Sequence, residues 1–222
     1  MGEYNELIQR VKECNEWVKA NDNFGVLYNY DCDGITAGSI VCKSLTREGK
    51  KFNSLALKQI YSDTVDEIKG LGENLIFVDF GSGQLEMLQK HFGKDFMVID
   101  HHQPETVEHP LHYNSMLCGF DGGREISSSG SSYLFARELN KLNKDLCALA
   151  IVGATGDMQE QKGKLIGLNE KILEEGIQNG FVEKKTDLRL YGRISRPLTQ
   201  FLMFSTSPII PHLTGNEANC VN

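Results

Sequence analysis

The chain has 222 residues, a formal net charge of −7 and a pI near 5.4. That length allows one large α/β domain, or one domain with a small appendage, and the acidic balance excludes a protein that grips nucleic acid by bulk charge alone. No stretch approaches the ~20 apolar residues of a membrane span, and the polar, acidic start is not a signal peptide.

Leu7, Ile8, Val11, Cys14, Trp17 and Val18 recur at helical spacing, so residues 3–21 are expected to form an amphipathic helix. The apolar run 24–30 reads as a strand leading to Asp31 and Asp33. Gly34 then opens a helix that stops at Gly49, with backbone N–H groups at its start available to an anion. Residues 52–57 read as a second strand, 63–71 as a short helix, and 75–78 as a third strand ending at Asp79, with a helix over 84–91 behind Gly81 and Gly83. Residues 96–99 form the fourth strand, ending at Asp100-His101-His102. His109 to Asn114 is a loop or short strand. The cluster Ser127 to Ser132 precedes a helix over 130–142; it is either a helix cap or a cradle of hydroxyls and amides for phosphate, with Ser128, Ser129 and Gly130 at its centre. Residues 145–156 are apolar on nearly every face and read as a buried helix delivering Asp157. Two further helices, 165–176 and 198–204, are joined by a basic connector in which Lys184, Lys185, Arg189, Arg193 and Arg196 stand against Asp187. It is a solvated helix face or a local basic groove, with Arg189, Arg193 and Arg196 as its candidate nucleic-acid contacts. Strands alternating with helices predict an α/β fold with a mainly parallel sheet covered on both faces, followed by a helical C-terminal segment. We divide it at residue 160, into a core (1–160) and a helical extension (161–222).

Four apolar runs thus end in aspartate, at Asp31/Asp33, Asp79, Asp100 and Asp157, and one also carries two histidines. Ligands of α/β sheets sit outside the carboxyl ends of the strands, where these groups fall. Clustered carboxylates repel one another unless a cation offsets the charge, so the pattern points to a metal site rather than to stability. Oxygen and imidazole ligands suit Mn²⁺ or Mg²⁺ better than structural zinc. The six cysteines form no CxxC pair or secreted-type framework and read as reduced thiols, hence a cytoplasmic protein.

With Asp31-Cys32-Asp33-Gly34, Asp79-Phe80-Gly81, Asp100-His101-His102 and Gly153-Ala154-Thr155-Gly156-Asp157 in that order, the chain resembles the DHH phosphoesterase superfamily, and within it the archaeal RecJ-like single-strand exonucleases, including the GINS-associated nuclease. The resemblance implies that Asp33, Asp79, His101 and Asp157 hold one Mn²⁺ or Mg²⁺, and that Asp79 bridges to a second ion held by Asp31. It further implies that His102 lies near the transferring phosphoryl group, making His102, His101 and Asp79 the catalytic candidates, while Asp100 orients a histidine. The implied activity is hydrolysis of phosphodiester bonds in single-stranded DNA or RNA, with replisome proteins such as GINS as possible partners. A pyrophosphatase or small-nucleotide phosphodiesterase is one alternative, and an inert replisome scaffold another. Two departures stand out. The histidine usual two or four residues before the first aspartate pair is here Asn29 or Leu27, which weakens one metal position and leaves Asn29 to ligate or merely line the site. No glycine-rich motif of a DHHA1-type domain follows residue 160.

Overall fold

The computed structural model describes residues 2–61, 64–186, 190 and 192–221. They form two compact units, Met1–Glu183 and Lys184–Asn222.

The first unit is built on five parallel strands, β1 (Phe24–Asn29), β2 (Phe52–Leu57), β3 (Asn74–Val78), β4 (Phe96–Asp100) and β5 (His112–Asn114), in the order β2-β1-β3-β4-β5. Side chains alternate between the faces of a strand, and here both faces are apolar. Phe24 and Val26, Ile76 and Val78, Met97 and Ile99, with Tyr113, enter one core with α1 (Gly2–Ala20), α2 (Cys32–Arg47), α5 (Ser128–Leu139) and α6 (Cys147–Gly156). Leu27, Leu75, Phe77, Phe96 and Val98 enter a second core with α3 (Val65–Lys69) and α4 (Leu85–Phe92). A sheet buried on both faces needs apolar residues at consecutive positions, which is why these strands read as runs rather than as alternations. The chain leaves β1 for β2 on one side and returns to β3 on the other. The crevice where the strand order reverses therefore opens at the carboxyl ends of β1 and β3.

The α/β class and the parallel sheet agree with the sequence reading; several boundaries differ. The third of these helices, α3, begins at Val65, and Asp63 lies outside the described residues. His112 to Asn114 is a strand at the sheet edge. The serine cluster starts α5 two residues early because Ser127 caps it, its side-chain oxygen accepting from Gly130 N–H. The α6 helix is not buried on every face: Cys147, Ala150, Gly153 and Ala154 pack inward, while Val152 is 51% exposed. Residues 167–178 form α7 (Gly167–Gln178), which lies in the first unit, beyond the division expected at residue 160. The second unit holds α8 (Leu198–Met203) and a short α9 (Glu217–Val221) that the sequence did not suggest. No helix among the described residues is long and apolar enough to cross a membrane.

Candidate metal centre

Strand register brings the site together. Asn29 pairs with Leu57, Tyr28 with Val78, Val78 with Ile99, and Asp100 with Asn114. Continued by one residue past Val78, this gives a single row across the carboxyl edge: Leu57, Asn29, Asp79, Asp100, Asn114. Four polar residues of adjacent strands, Asn29, Asp79, Asp100 and Asn114, therefore stand about 5 Å apart from strand to strand. Asp79 occupies its place with φ 65°, a left-handed conformation rare for a residue with a Cβ. Such strain persists where the surroundings enforce it, and it concentrates at functional sites.

His101 is the hub. Its Nδ1 lies 2.6 Å from the carbonyl of Gly122, which accepts the ring N–H and leaves Nε2 facing the carboxylates. Around Nε2 stand Asp79 Oδ1 at 3.4 Å, Asp33 Oδ2 at 3.8 Å and Asp157 Oδ2 at 3.9 Å. Two overlapping groups have the spacing to hold an ion, Asp79–His101–His102 and Asp33–His101–Asp157. The Oδ1 of Asp79 is buried without any hydrogen-bond partner. An orphaned buried carboxylate oxygen is costly, and a cation beside it removes the cost, so the residues present fit a divalent ion.

The electrostatics agree. Burial pushes Asp79 up to about 6, the His101 ring 3.4 Å away only partly opposing it. For His101 burial alone would lower the pKa, but Asp79 and Asp33 outweigh it and push the ring up to about 10. Without a cation, the cluster keeps a proton in its place. Burial would raise Asp100, yet His102, His101 and the Ser82 amide hold it well below the usual carboxylate range. Asp100 Oδ1 accepts from His102 Nδ1 at 2.8 Å, and that bond raises His102. His102 is 55% exposed, so its Nε2 is turned to the rim of the site. Asp157 is raised by burial.

Each expected residue has a definite place. Asp33 is held by the N-terminus of α5: Ser128 N–H donates to its Oδ2 at 2.7 Å and Ser129 N–H to its Oδ1 at 3.0 Å. The cradle that the sequence offers to an anion is thus filled by Asp33, with Ser128, Ser129 and Gly130 all buried. Asp31 joins neither ion-sized group; its Oδ1 caps α2 by accepting from Gly34 N–H at 2.9 Å, and its Oδ2 accepts from Asn29 Nδ2 at 3.0 Å. Cys32 turns its Sγ towards the Val152 carbonyl. Arg193 and Arg196 belong to the second unit, and Arg189 lies outside the described residues. Sequence reasoning missed Gln159. It is fully buried, and its amide donates at 2.8 Å both to Asp157 Oδ2 and to the Gly122 carbonyl, coupling the last aspartate to the seat of His101. Its position two residues after Asp157 was the only signal.

Comparison with known proteins bears on the family and the fold. Residues 23–154 match the family model described as DHH family, N-terminal domain. An uncharacterized Methanocaldococcus jannaschii protein, MJ0831, is 32% identical over 94% of this chain and 51% of its own length. Similar solved structures include exonuclease RecJ bound to manganese (TM-score 0.60, 21% identity, 78% of this chain, 47% of that one) and CDC45 from Entamoeba histolytica (TM-score 0.62, 16% identity, 91% of this chain, 44% of that one). RecJ in complex with Mn²⁺ from Thermus thermophilus is similar too (TM-score 0.61, 21% identity, 78% of this chain, 26% of that one). The chain spans about half the length of the curated relative it matches. By the family match the chain belongs to the DHH family, and it shares its fold with RecJ.

Proposed function

We propose that this protein is a metal-dependent phosphodiesterase that hydrolyses single-stranded DNA or RNA. The observation that carries the reading is the His101 cluster: one imidazole nitrogen facing three carboxylates, with a buried Asp79 oxygen that accepts no hydrogen bond. Asp33, Asp79, His101 and Asp157 would hold Mn²⁺ or Mg²⁺, with Asp31 beside a second, weaker position. Bound divalent ions supply an activated water and charge neutralisation at the phosphate. The protein's own part follows from its contacts. Gly122 and Gln159 fix the His101 ring and Asp157. Asp100 accepts from His102 Nδ1 and raises that ring's pKa, which favours its protonated form at the rim, where it would stabilise developing charge on a phosphoryl group and donate a proton to the leaving oxygen.

A second reading rests on Asn29. Its amide donates to Asp31 in place of the usual histidine, and the fold is shared with CDC45, so a catalytically weak scaffold in a replisome, binding a partner such as GINS, is the competing assignment. The test is hydrolysis of end-labelled single-stranded oligonucleotides, DNA and RNA, with Mn²⁺, Mg²⁺ or EDTA, beside an Asp79→Ala/His101→Ala variant. Metal-dependent shortening absent in the variant supports the enzyme. No cleavage of oligonucleotide, pyrophosphate or dinucleotide supports the scaffold.

A further inference from the structure

Beside the metal centre lies a cleft of 250 Å³ whose wall includes Asp79 and His102 on one side and Lys58, Gln59, Phe80, Gln84 and Gln103 on the others. Phe80 lies within the Asp79-Phe80-Gly81 motif, but none of these five is among the groups expected to hold metal. The volume falls just under the range for drug-sized ligands, roughly 300–1,000 Å³. It holds one nucleoside and not a longer segment.

The lining chemistry is that of a nucleoside site. Phe80 is half-buried, and its ring is braced by Phe77 with centroids 6.3 Å apart, which gives a fixed aromatic surface. Any base stacks on such a surface, an interaction worth about 1–3 kcal/mol. The polar groups are mostly donors. Gln59 Oε1 already accepts from Tyr61 OH and Gln84 Oε1 from Gly81 N–H, which leaves their amide hydrogens towards a guest. Gln103 and Lys58 have no side-chain partner among the described residues. A donor-rich wall next to a carboxylate cluster sorts a nucleotide by polarity, with base acceptors and phosphates on the wall and the cation-bound phosphate at the centre.

Lys58 follows Leu57, which stands two strand spacings, about 10 Å, from Asp79 in the same row. That is too far to share the phosphate at the metal centre and near enough, with the side chain extended, for the next phosphate of a strand. Lys58 is the only lysine or arginine among the lining residues. A polyphosphate chain would need several cations and no aromatic surface.

We propose that this cleft receives the nucleoside adjoining the scissile phosphate, held by Phe80 and Gln103, while Lys58 holds the neighbouring phosphate. The assignment rests on the phosphodiesterase reading for its orientation but is tested apart from it. With the full chain and Mn²⁺, the affinities of 5′-AMP, inorganic phosphate and tripolyphosphate are measured first. Wild type binds 5′-AMP at least about tenfold more tightly than phosphate, and Gln103→Ala removes most of that preference while Mn²⁺ affinity stays within about twofold. For a short oligonucleotide, Lys58→Ala raises KM, or Kd where no hydrolysis occurs, by about tenfold and lowers the salt slope by about one. Equal affinity for 5′-AMP and phosphate, or an unchanged preference in Gln103→Ala, overturns the site. Tripolyphosphate binding more tightly than 5′-AMP overturns it in favour of a polyphosphate substrate. Wild-type hydrolysis of bis(p-nitrophenyl) phosphate is the control for the metal centre: its absence removes the catalytic reading, and the 5′-AMP preference still decides the cleft.

Discussion

Gly153→Ala places one methyl group at the most crowded junction of the site. Gly153 lies in α6 against α2 and α5, and a Cβ there would collide with Ser129 Oγ and Thr36 Oγ1 and lie 2.6 Å from Asp33 Oδ1. None of the three can swing aside. Ser129 Oγ donates to the Ala150 carbonyl at 3.0 Å and lies 2.8 Å from Ser127 Oγ, Thr36 Oγ1 donates to Cys32 O at 2.8 Å, and Asp33 is pinned by two amides. Overpacking of this kind costs about 1–3 kcal/mol, and weakening a charge-assisted bond to Asp33 adds about 1.5–3 kcal/mol. At roughly 2–4 °C per kcal/mol for a chain of this size, metal-free melting should fall by about 5–25 °C. Because Asp33 is displaced, Mn²⁺ affinity should fall too, by about tenfold, as expected when the support of a ligand is disturbed. Gly70→Ala is the control: at Gly70 the nearest neighbour of a Cβ is the Glu67 carbonyl at 3.4 Å, so the change should stay within about ±0.5 kcal/mol. Thermal melting and Mn²⁺ calorimetry read both. A Gly153→Ala protein that melts and binds Mn²⁺ like wild type would refute the claim that close helix packing seats Asp33.

Asp79→Ala should abolish more activity than Asp31→Ala, since Asp79 faces His101 while Asp31 faces its own helix; Asp31→Ala should instead cost about 1 kcal/mol of stability through the lost cap. Equal activity losses at saturating metal would count against this. Asn29→His puts an imidazole where an amide now donates to Asp31, and the Mn²⁺ stoichiometry seen in calorimetry should rise; an unchanged value speaks against a second position there. Mn²⁺ binding at pH 7 should release about one proton, because His101 is raised to about 10 and must lose its Nε2 proton to ligate. Titrations in buffers of different ionisation enthalpy give that number, and zero release would be incompatible with His101 as a ligand. For Glu175, burial would raise the carboxyl, but Arg137, 2.6 Å away, draws it below its ordinary value. The stability from this pair is present above the unfolded value of about 4.3 and is lost as pH falls through the folded one. Glu175→Gln should flatten that acid limb in urea melts, and an unaltered limb would place the acid sensitivity elsewhere.

The strands were legible because burial on both faces writes itself as unbroken apolar runs, and the four aspartates at their ends were legible because nothing in a core calls for them. Register was not legible: that Asn29, Asp79 and Asp100 share one row follows from pairings between strands distant in sequence. The serine cluster was ambiguous for a physical reason. A capped helix start and an anion cradle use the same amides, and here both uses coincide, with Ser127 as the cap and Asp33 as the anion. Lys58 and Gln103 gave no signal at all, since a lysine after a strand and a glutamine in a loop are ordinary surface residues until the fold places them around one cleft.

The two departures at positions 27 and 29 separate once the packing is known. Leu27 is fully buried in the core under α3 and α4, so a histidine there would have to leave that core to reach the site. Only Asn29 stands in the row with Asp79 and Asp100. Its oxygen accepts from Tyr30 N–H and its nitrogen donates to Asp31, which leaves neither atom aimed at a cation. The groups around His101, from the sheet and the ends of α2 and α6, are therefore gathered at ion-sized spacing, while the turn after β1 is tied into its own helix cap. A chain so arranged should take its first ion at His101 and need higher concentrations for any second. Activity that rises in one step with Mn²⁺ would mean that the first ion suffices; a second, weaker step would mean that Asp31 gives up its cap to bind.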